Sequence, residues 1–363
     1  MLKQEIIGVL ESGDPLDEHE FDRLALAVFA HQFGCNEPYR RYCERRGIRP
    51  ETVSSWLEIP AVPTDAFKAA PLVCGDPGSV AAVFRTSGTT AGPERRGTHY
   101  LPELSFYHAA LTTSFSRHLV ADGTSFRFLS LVPSPAELPD SSLSHMVGVL
   151  MRERAAAGSG YFVSPDLGIR YAQLADALRQ AESDGVPVFL PGTAFAFVHW
   201  LDEAARRGDR FRLTHGSRVM DTGGFKGRSR EVTRRELYAA LGHRLGVDPD
   251  WMINEYGMTE MSSQFYDGVA GAARPDPEER LHVGPPWVRT RATDPETLRI
   301  LPHGETGVLR HWDLANVDSV ACIQTWDLGV TAPDGFRIIG RATGAEARGC
   351  SLAMDDVLNA LRR

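Results

Sequence analysis

The chain has 363 residues, 42% of them hydrophobic and 24% charged, and a formal net charge of −8. That length predicts two or three packed units of ordinary globular composition, and the acidic balance argues against a nucleic-acid-binding surface. No apolar run is long enough to span a bilayer, and Met1-Leu2-Lys3-Gln4-Glu5 lacks the apolar core of a signal peptide, so a cytoplasmic protein without a membrane span is expected.

In chain order, Phe21, Leu24, Leu26, Val28 and Phe29 form the apolar stripe of a helix within residues 17–47. Asn36-Glu37-Pro38 interrupts it. Residues 56–63 are held extended by their prolines. The apolar run 80–84 then reads as a strand delivering Arg85-Thr86-Ser87-Gly88-Thr89-Thr90-Ala91-Gly92. Backbone N–H groups here, with the hydroxyls of Thr86, Ser87, Thr89 and Thr90, can donate hydrogen bonds to phosphate oxygens. No Gly-Lys-Ser/Thr follows, so this is not the common P-loop, and a plain surface turn has the same composition.

Beyond it, helices (103–119, 143–157, 169–182) alternate with strands (125–132, 160–163, 186–190). Pro191-Gly192-Thr193 reads as a turn into a helix that runs to about 205. Strand 218–220 ends in Thr222-Gly223-Gly224, and a charged helix follows to 245. Strand 251–254 ends in Glu255-Tyr256-Gly257-Met258-Thr259-Glu260. This alternation predicts an α/β fold, parallel sheets covered by helices, with ligand loops at the carboxyl ends of the strands. From about 281 short strands and tight turns predict a β-rich subdomain, and a helix over 351–361 closes the chain. The expected division is an α/β core (1–280), a β-rich subdomain (281–349), and a C-terminal thiol segment with a helix (350–363).

The turn at 255–260 offers an aromatic face for a purine in Tyr256, a hydroxyl for a phosphate in Thr259, and an oxygen ligand for Mg²⁺ in Glu260. A capped loop with an exposed glutamate reads the same way. Asp327 can accept ribose hydroxyls and Arg341 can contact ribose or phosphate, although both residue types also form turns and ion pairs. The five cysteines are scattered, with no Cys-x-x-Cys. They indicate neither a disulfide framework nor a zinc site, and Cys35, Cys43, Cys74 and Cys322 are expected as buried thiols.

Thr86-Ser87-Gly88-Thr89-Thr90-Ala91-Gly92, Thr222-Gly223-Gly224, Tyr256-Gly257-Met258-Thr259-Glu260, Asp327 and Gly340-Arg341 occur in an order that resembles the adenylate-forming superfamily. Within it, the chain resembles the LuxE-like acyl-protein synthetases. That likeness rests on Pro38-Tyr39-Arg40, Ile59-Pro60-Ala61-Val62-Pro63, Phe67-Lys68, Gly192-Thr193-Ala194-Phe195, Thr222 to Gly227 and Arg348-Gly349-Cys350-Ser351-Leu352.

The resemblance implies a large adenylate-forming domain and a two-step reaction. A carboxylate attacks the α-phosphorus of ATP, giving an acyl-adenylate and pyrophosphate, and a thiol then takes the acyl group. Thr86, Ser87, Gly88, Thr89, Thr90 and Gly92 would hold the phosphates. Gly223, Gly224, Glu255, Tyr256 and Gly257 would border the base, Thr259 would contact the α-phosphate, Glu260 would bind Mg²⁺, and Asp327 and Arg341 would meet the ribose. Phe195 and His199 would wall the carboxylate pocket, or Phe195 to Trp200 would form a buried helix face.

The sequence departs from the superfamily pattern at two places. The usual lysine after Gly-x-Pro is replaced by Glu94-Arg95-Arg96, so Arg95 or Arg96 would supply the charge with different geometry. The mobile domain that carries a catalytic lysine in typical members does not follow, although the segment from Gly340-Arg341 to Arg348-Gly349 matches the family's connecting strand. Cys350 falls just after it and is the implied acyl carrier, with Arg348 favouring its thiolate; the other reading is a core cysteine of the terminal helix. The partner would be an acyl-accepting protein, a reductase or a carrier. Transfer to coenzyme A or a carrier protein is the second reading, and a degenerate nucleotide-binding scaffold the third.

Overall fold

The computed structural model describes residues 1–87, 96–223, 232–342 and 348–361, the last segment with side chains from 354 to 360. Helices α1 (Leu2–Ser12), α2 (Glu18–Cys35) and α3 (Glu37–Arg45) come first, then strand β1 (Val62–Pro63). The hairpin β2 (Ala82–Arg85) and β3 (Thr98–Leu101) leads to α4 (Ser105–Leu119). The order continues β4 (Arg127–Ser130), α5 (Ser142–Arg154), β5 (Gly160–Tyr161), β6 (Val163–Ser164), β7 (Gly168–Ile169) and α6 (Tyr171–Asp184). Next come β8 (Val188–Thr193), α7 (Ala194–Arg207), β9 (Arg218–Thr222), α8 (Arg234–Leu245), β10 (Met252–Tyr256) and β11 (Phe265–Tyr266). The last elements are β12 (Val288–Thr293), β13 (Thr306–Asp313), β14 (Cys322–Ala332), β15 (Gly335–Arg341) and α9 (Arg348–Leu361).

The chain forms two compact units, and neither follows the sequence without a break. One unit holds residues 114–257 and 265–282, the other residues 1–113, 258–264 and 283–363.

The first of these is the expected α/β sheet, in the order β11-β10-β9-β8-β4-β5, parallel throughout except at β11. Its central strands β4, β8 and β9 are almost wholly buried, as a parallel sheet covered on both faces requires. Leu129, Leu174, Leu178, Val219 and Leu241 lie in one core cluster with α7's Phe197 and Trp200. Burying each such side chain is worth about 1.5–3 kcal/mol. Pro191-Gly192-Thr193 is the end of β8 and not a turn. The ladder needs only a carbonyl from Pro191, which accepts from the Leu131 amide at 2.8 Å. Gly192 has no room for a side chain, since a Cβ there would meet Leu131 and Phe197 at 3.0 Å. Thr193 caps α7 by accepting from the Ala196 amide at 3.1 Å.

The other unit is built on a sheet ordered β1-β14-β13-β12, with β15 added to β14. All its pairings are antiparallel except β1 with β14. It contains the β-rich region expected after 281, but residues 1–113 pack in the same unit. The cause lies in buried polar contacts and aromatic packing. Gln32 donates to the Asn316 carbonyl at 2.8 Å, and Asn36 donates to the Ser319 carbonyl at 3.0 Å. Trp56 meets Trp312 edge-on at 4.7 Å and Phe21 at 5.5 Å.

Two expectations are corrected here. Cys35 and Cys74 are joined as a disulfide and are not buried thiols. Cys43 and Cys322 are the buried thiols expected, and burial pushes each up to about 12. The terminal helix begins at Arg348, so residues 348–349 open α9 and do not continue a connecting strand. Val357 and Ala360 bury its inner face, and Asp356 pairs with Arg46 at 3.0 Å.

Candidate active site

In the unit that holds β2 and β3, the loop predicted to take phosphate is clasped at its neck. The Thr86 amide donates to the Gly97 carbonyl at 2.9 Å, and the Gly97 amide donates back to the Thr86 hydroxyl at 2.8 Å. Arg96 reaches across the same neck, donating through Nε to the Thr86 carbonyl and through a terminal nitrogen to the Arg85 carbonyl at 3.0 Å. Arg96 therefore takes a bracing position on backbone oxygens. Ser87 follows Thr86 on the exposed side. Gly88, Thr89, Thr90 and Gly92 lie outside the described residues, as does Arg95.

Residues 258–264 are fixed in this unit by contacts that sequence spacing does not reveal. His99 is buried, and burial lowers its pKa to about 4 against the hydrogen bond to Thr259. The ring is thus neutral, and Nδ1 donates to the Thr259 carbonyl at 2.8 Å. Asn316 donates to the Glu260 carbonyl at 2.8 Å. Asp313 accepts from the Ser262 and Ser263 amides at 3.1 and 3.0 Å and from the Ser263 hydroxyl at 2.7 Å. Consecutive residues are gripped by their carbonyls, which leaves the Thr259 and Glu260 side chains aimed by the backbone.

The Glu260 carboxyl is buried, and that burial pushes its pKa up to about 7. Its own backbone amide and the charges of Lys68 and Arg341 oppose the rise, while Asp327 adds to it. Asp327 and Arg341 are cross-strand neighbours on β14 and β15, with Arg341 Nε 3.3 Å from Asp327 Oδ1. This unit therefore brings Glu260, Lys68, Asp327 and Arg341 into one electrostatic group. A hard divalent cation fits the buried carboxylate, because it would supply the positive charge that burial withholds.

In the α/β unit, Thr222 and Glu255 end adjacent parallel strands in direct register. The Thr222 hydroxyl donates to the Glu255 carboxylate, and burial raises the Glu255 pKa to about 7, with Asp221 adding to the rise. One residue earlier in each strand, Asn254 donates to Asp221 Oδ2 at 2.7 Å and accepts from His282 at 2.7 Å. Tyr238 donates to Asp221 Oδ1 at 2.5 Å. This buried polar network sets the strand ends from which Gly223, at a positive φ of 71°, and Gly257 depart. Gly224 lies outside the described residues. Tyr256 is half-buried, its ring 5.7 Å from Phe265 and 5.9 Å from His282.

Phe195 and His199 pair on one face of α7, their centroids 4.4 Å apart, with His199 exposed. Phe197, Val198 and Trp200 are the buried face of that helix. Cys350 sits in the opening turn of α9, and its side chain is outside the described residues. His99, Asn316 and Asp313 are not marked by any local pattern in the sequence, because their partners lie far along the chain.

The family described as "Acyl-protein synthetase, LuxE" matches residues 8–359. The chain belongs to the LuxE acyl-protein synthetases. Among LuxE relatives, the long-chain-fatty-acid–luciferin-component ligase of Vibrio harveyi is 25% identical over 350 residues, covering 93% of this chain and 88% of that protein. Its counterpart in Aliivibrio fischeri is 24% identical over 352 residues, with the same coverage. An open conformation of 2-hydroxyisobutyryl-CoA ligase, in complex with 2-HIB-AMP and CoA, has a TM-score of 0.63 at 15% identity, covering 91% of this chain and 71% of that one. ATP-bound MatB from Rhodopseudomonas palustris has a TM-score of 0.50 at 18% identity, covering 74% and 49%. These likenesses show the adenylate-forming fold. This LuxE-family chain is a ligase, and family membership makes acyl-adenylate formation followed by acyl transfer its reaction. Among the described residues no helix is long and apolar enough to cross a membrane.

Proposed function

We propose that this LuxE-family ligase uses ATP and Mg²⁺ to activate a carboxylic acid, loads the acyl group onto Cys350, and delivers it to a protein partner such as an acyl reductase. The observation that carries this reading is the Glu260 carboxyl, buried and in the field of the Lys68, Arg341 and Asp327 charges. A carboxylate in that setting gains most from a divalent cation, and the reaction needs one where a polyphosphate leaves.

In this assignment Thr86, Ser87, Gly88, Thr89, Thr90 and Gly92 hold the phosphates, Thr259 contacts the α-phosphate, and Glu260 holds the metal. Asp327 and Arg341 take the ribose and its neighbouring phosphate. Gly223, Gly224, Glu255, Tyr256 and Gly257 border the base. Phe195 and His199 contact the acid. Cys350 attacks the acyl carbonyl as a thiolate, AMP leaves, and a thioester forms. A cysteine in the first turn of a helix is where the backbone dipoles favour a thiolate. Both relatives are named for a long-chain fatty acid, so such acids come first in the substrate panel.

The test is the intact mass of the full chain after incubation with ATP, Mg²⁺ and a panel of carboxylic acids, beside Cys350→Ser. The expected result is a hydroxylamine-labile increment of one acid less water in the parent alone. AMP release that requires added coenzyme A or carrier protein, with no adduct, would refute self-acylation.

A further inference from the structure

We propose that His31, Cys35 and Cys74 form a site for a thiophilic divalent cation of the zinc class, opened when the Cys35–Cys74 disulfide is reduced. The three ligand atoms lie within 4.8 Å of one another and belong to one compact unit. His31 and Cys35 are one turn apart on α2 and so share a helix face, with Cys35 Sγ 3.5 Å from His31 Nε2. Cys74 comes from a separate segment and is held there by its amide, which donates to the Asp318 carbonyl at 2.8 Å. Asp318 Oδ1 is itself 3.0 Å from His31 Nε2.

The sulfur–sulfur edge, a covalent bond in the disulfide, must open on reduction for a tetrahedral cation to enter. Bonds of about 2.0–2.3 Å to nitrogen and sulfur set ligand-to-ligand edges of roughly 3.3–3.8 Å. The sulfur–imidazole edge is already of that length. Two thiolates and an imidazole are the donor set that zinc-class ions prefer over Mg²⁺ or Ca²⁺. Asp318 stands beside the fourth position, and Lys3 holds its outer oxygen at 2.5 Å, which keeps the inner oxygen turned towards His31. The pair is only partly buried, so a small reductant and an ion can both reach it.

The chemistry balances as an exchange followed by a substitution. A dithiol reductant attacks one sulfur, the Cys35–Cys74 bond breaks, its electron pair stays on the departing sulfur, and the reductant becomes its own cyclic disulfide. The cation then displaces the two thiol protons to solvent, and the His31 ring, its proton held at Nδ1, offers the freed Nε2 lone pair as a neutral imidazole. In either redox state a bridge ties α2 to the Cys74 segment. The site makes no use of the acyl-transfer reading and stands or falls without it.

The test uses the full chain, with Co²⁺ as a spectroscopic probe and Zn²⁺ as competitor. After reduction and removal of the reductant, Co²⁺ should give a thiolate-to-cobalt charge-transfer band that saturates at one equivalent and is abolished by Zn²⁺. The oxidised chain should give none. Cys35→Ala should lose the band. His31→Ala, which keeps both sulfurs and whose folding is checked by circular dichroism, should weaken Co²⁺ binding by at least about tenfold. A reduced, folded chain that gives no saturable band overturns the proposal, as does a band retained in Cys35→Ala or left unweakened in His31→Ala.

Discussion

Two buried carboxyls, one in each unit, are raised to the same value for the same reason and are surrounded differently. Burial pushes both Glu260 and Glu255 up to about 7. Glu260 lies in the field of Lys68 and Arg341, which favour its ionised form against burial and so leave a carboxylate that a cation can bind. Glu255 faces the Thr222 hydroxyl and the acidic Asp221, so its environment is made for a neutral or hydrogen-bonding group. Equal shifts therefore do not imply equal roles. The neighbours decide whether a raised carboxyl serves to bind a cation or to hold a hydrogen bond.

Substitution separates the two most sharply. Glu260→Gln should lower acid-dependent ATP–pyrophosphate exchange by a factor on the order of 10²–10³, with no recovery at high Mg²⁺. Glu255→Gln should keep kcat near the parent's and raise the KM for ATP by about tenfold, the loss of one hydrogen-bonding group. Equal losses from the two variants would break the comparison.

The pH dependence of stability sharpens it. A carboxyl whose folded pKa is raised binds its proton more tightly in the folded state. Its contribution to stability is complete below the unfolded value near 4.5 and is lost as pH rises through about 7. Each group should cost roughly 3 kcal/mol between those limits. Glu255→Gln should flatten part of that fall in denaturant titrations at pH 5 and pH 8. Mg²⁺ with ATP should flatten it in the parent but not in Glu260→Gln, because the cation stabilises only the ionised form.

Smaller effects follow from the framework around Glu260. Asn316→Ala leaves the carbonyls of Glu260 and Val320 without their donor and should cost about 1–3 kcal/mol, read as a lower denaturant midpoint with m unchanged. Asp327→Ala breaks an ion pair whose arginine is largely exposed. It should change stability by no more than about 1 kcal/mol while raising the KM for ATP. A large stability loss there would place Asp327 in the framework and not in the ribose contact.

Much of this arrangement is legible in the sequence. The strands ending at Arg85, Thr222 and Tyr256 follow from short apolar runs that stop at small or hydroxylated residues, a local pattern. The pairing of Asp327 with Arg341 is set by the register of β14 on β15, which spacing along the chain does not reveal; each stands out as a charged residue after an apolar run, although Asp327 lies within β14 and Arg341 ends β15. What cannot be read is anything fixed by distant partners. His99 serves a carbonyl far along the chain, and Cys35 and Cys74 belong to no motif. The packing of residues 1–113 with 283–363 rests on the Gln32, Asn36 and Trp56 contacts and on β1 pairing with β14, a two-residue strand with no periodicity of its own. Pro191 to Thr193 mislead for the opposite reason, since turn-forming residues sit inside a strand where a close helix demands glycine.

The discontinuous unit has a consequence for synthesis. As the chain emerges from the ribosome, residues 114–257 and 265–282 can complete their parallel sheet while β12 to β15 have yet to be made. The first 113 residues must wait, with Trp56 and the amides of Gln32 and Asn36 lacking their later partners. Nascent chains paused after residue 282 should thus carry a finished middle and an unsettled beginning, a natural client for a holding chaperone.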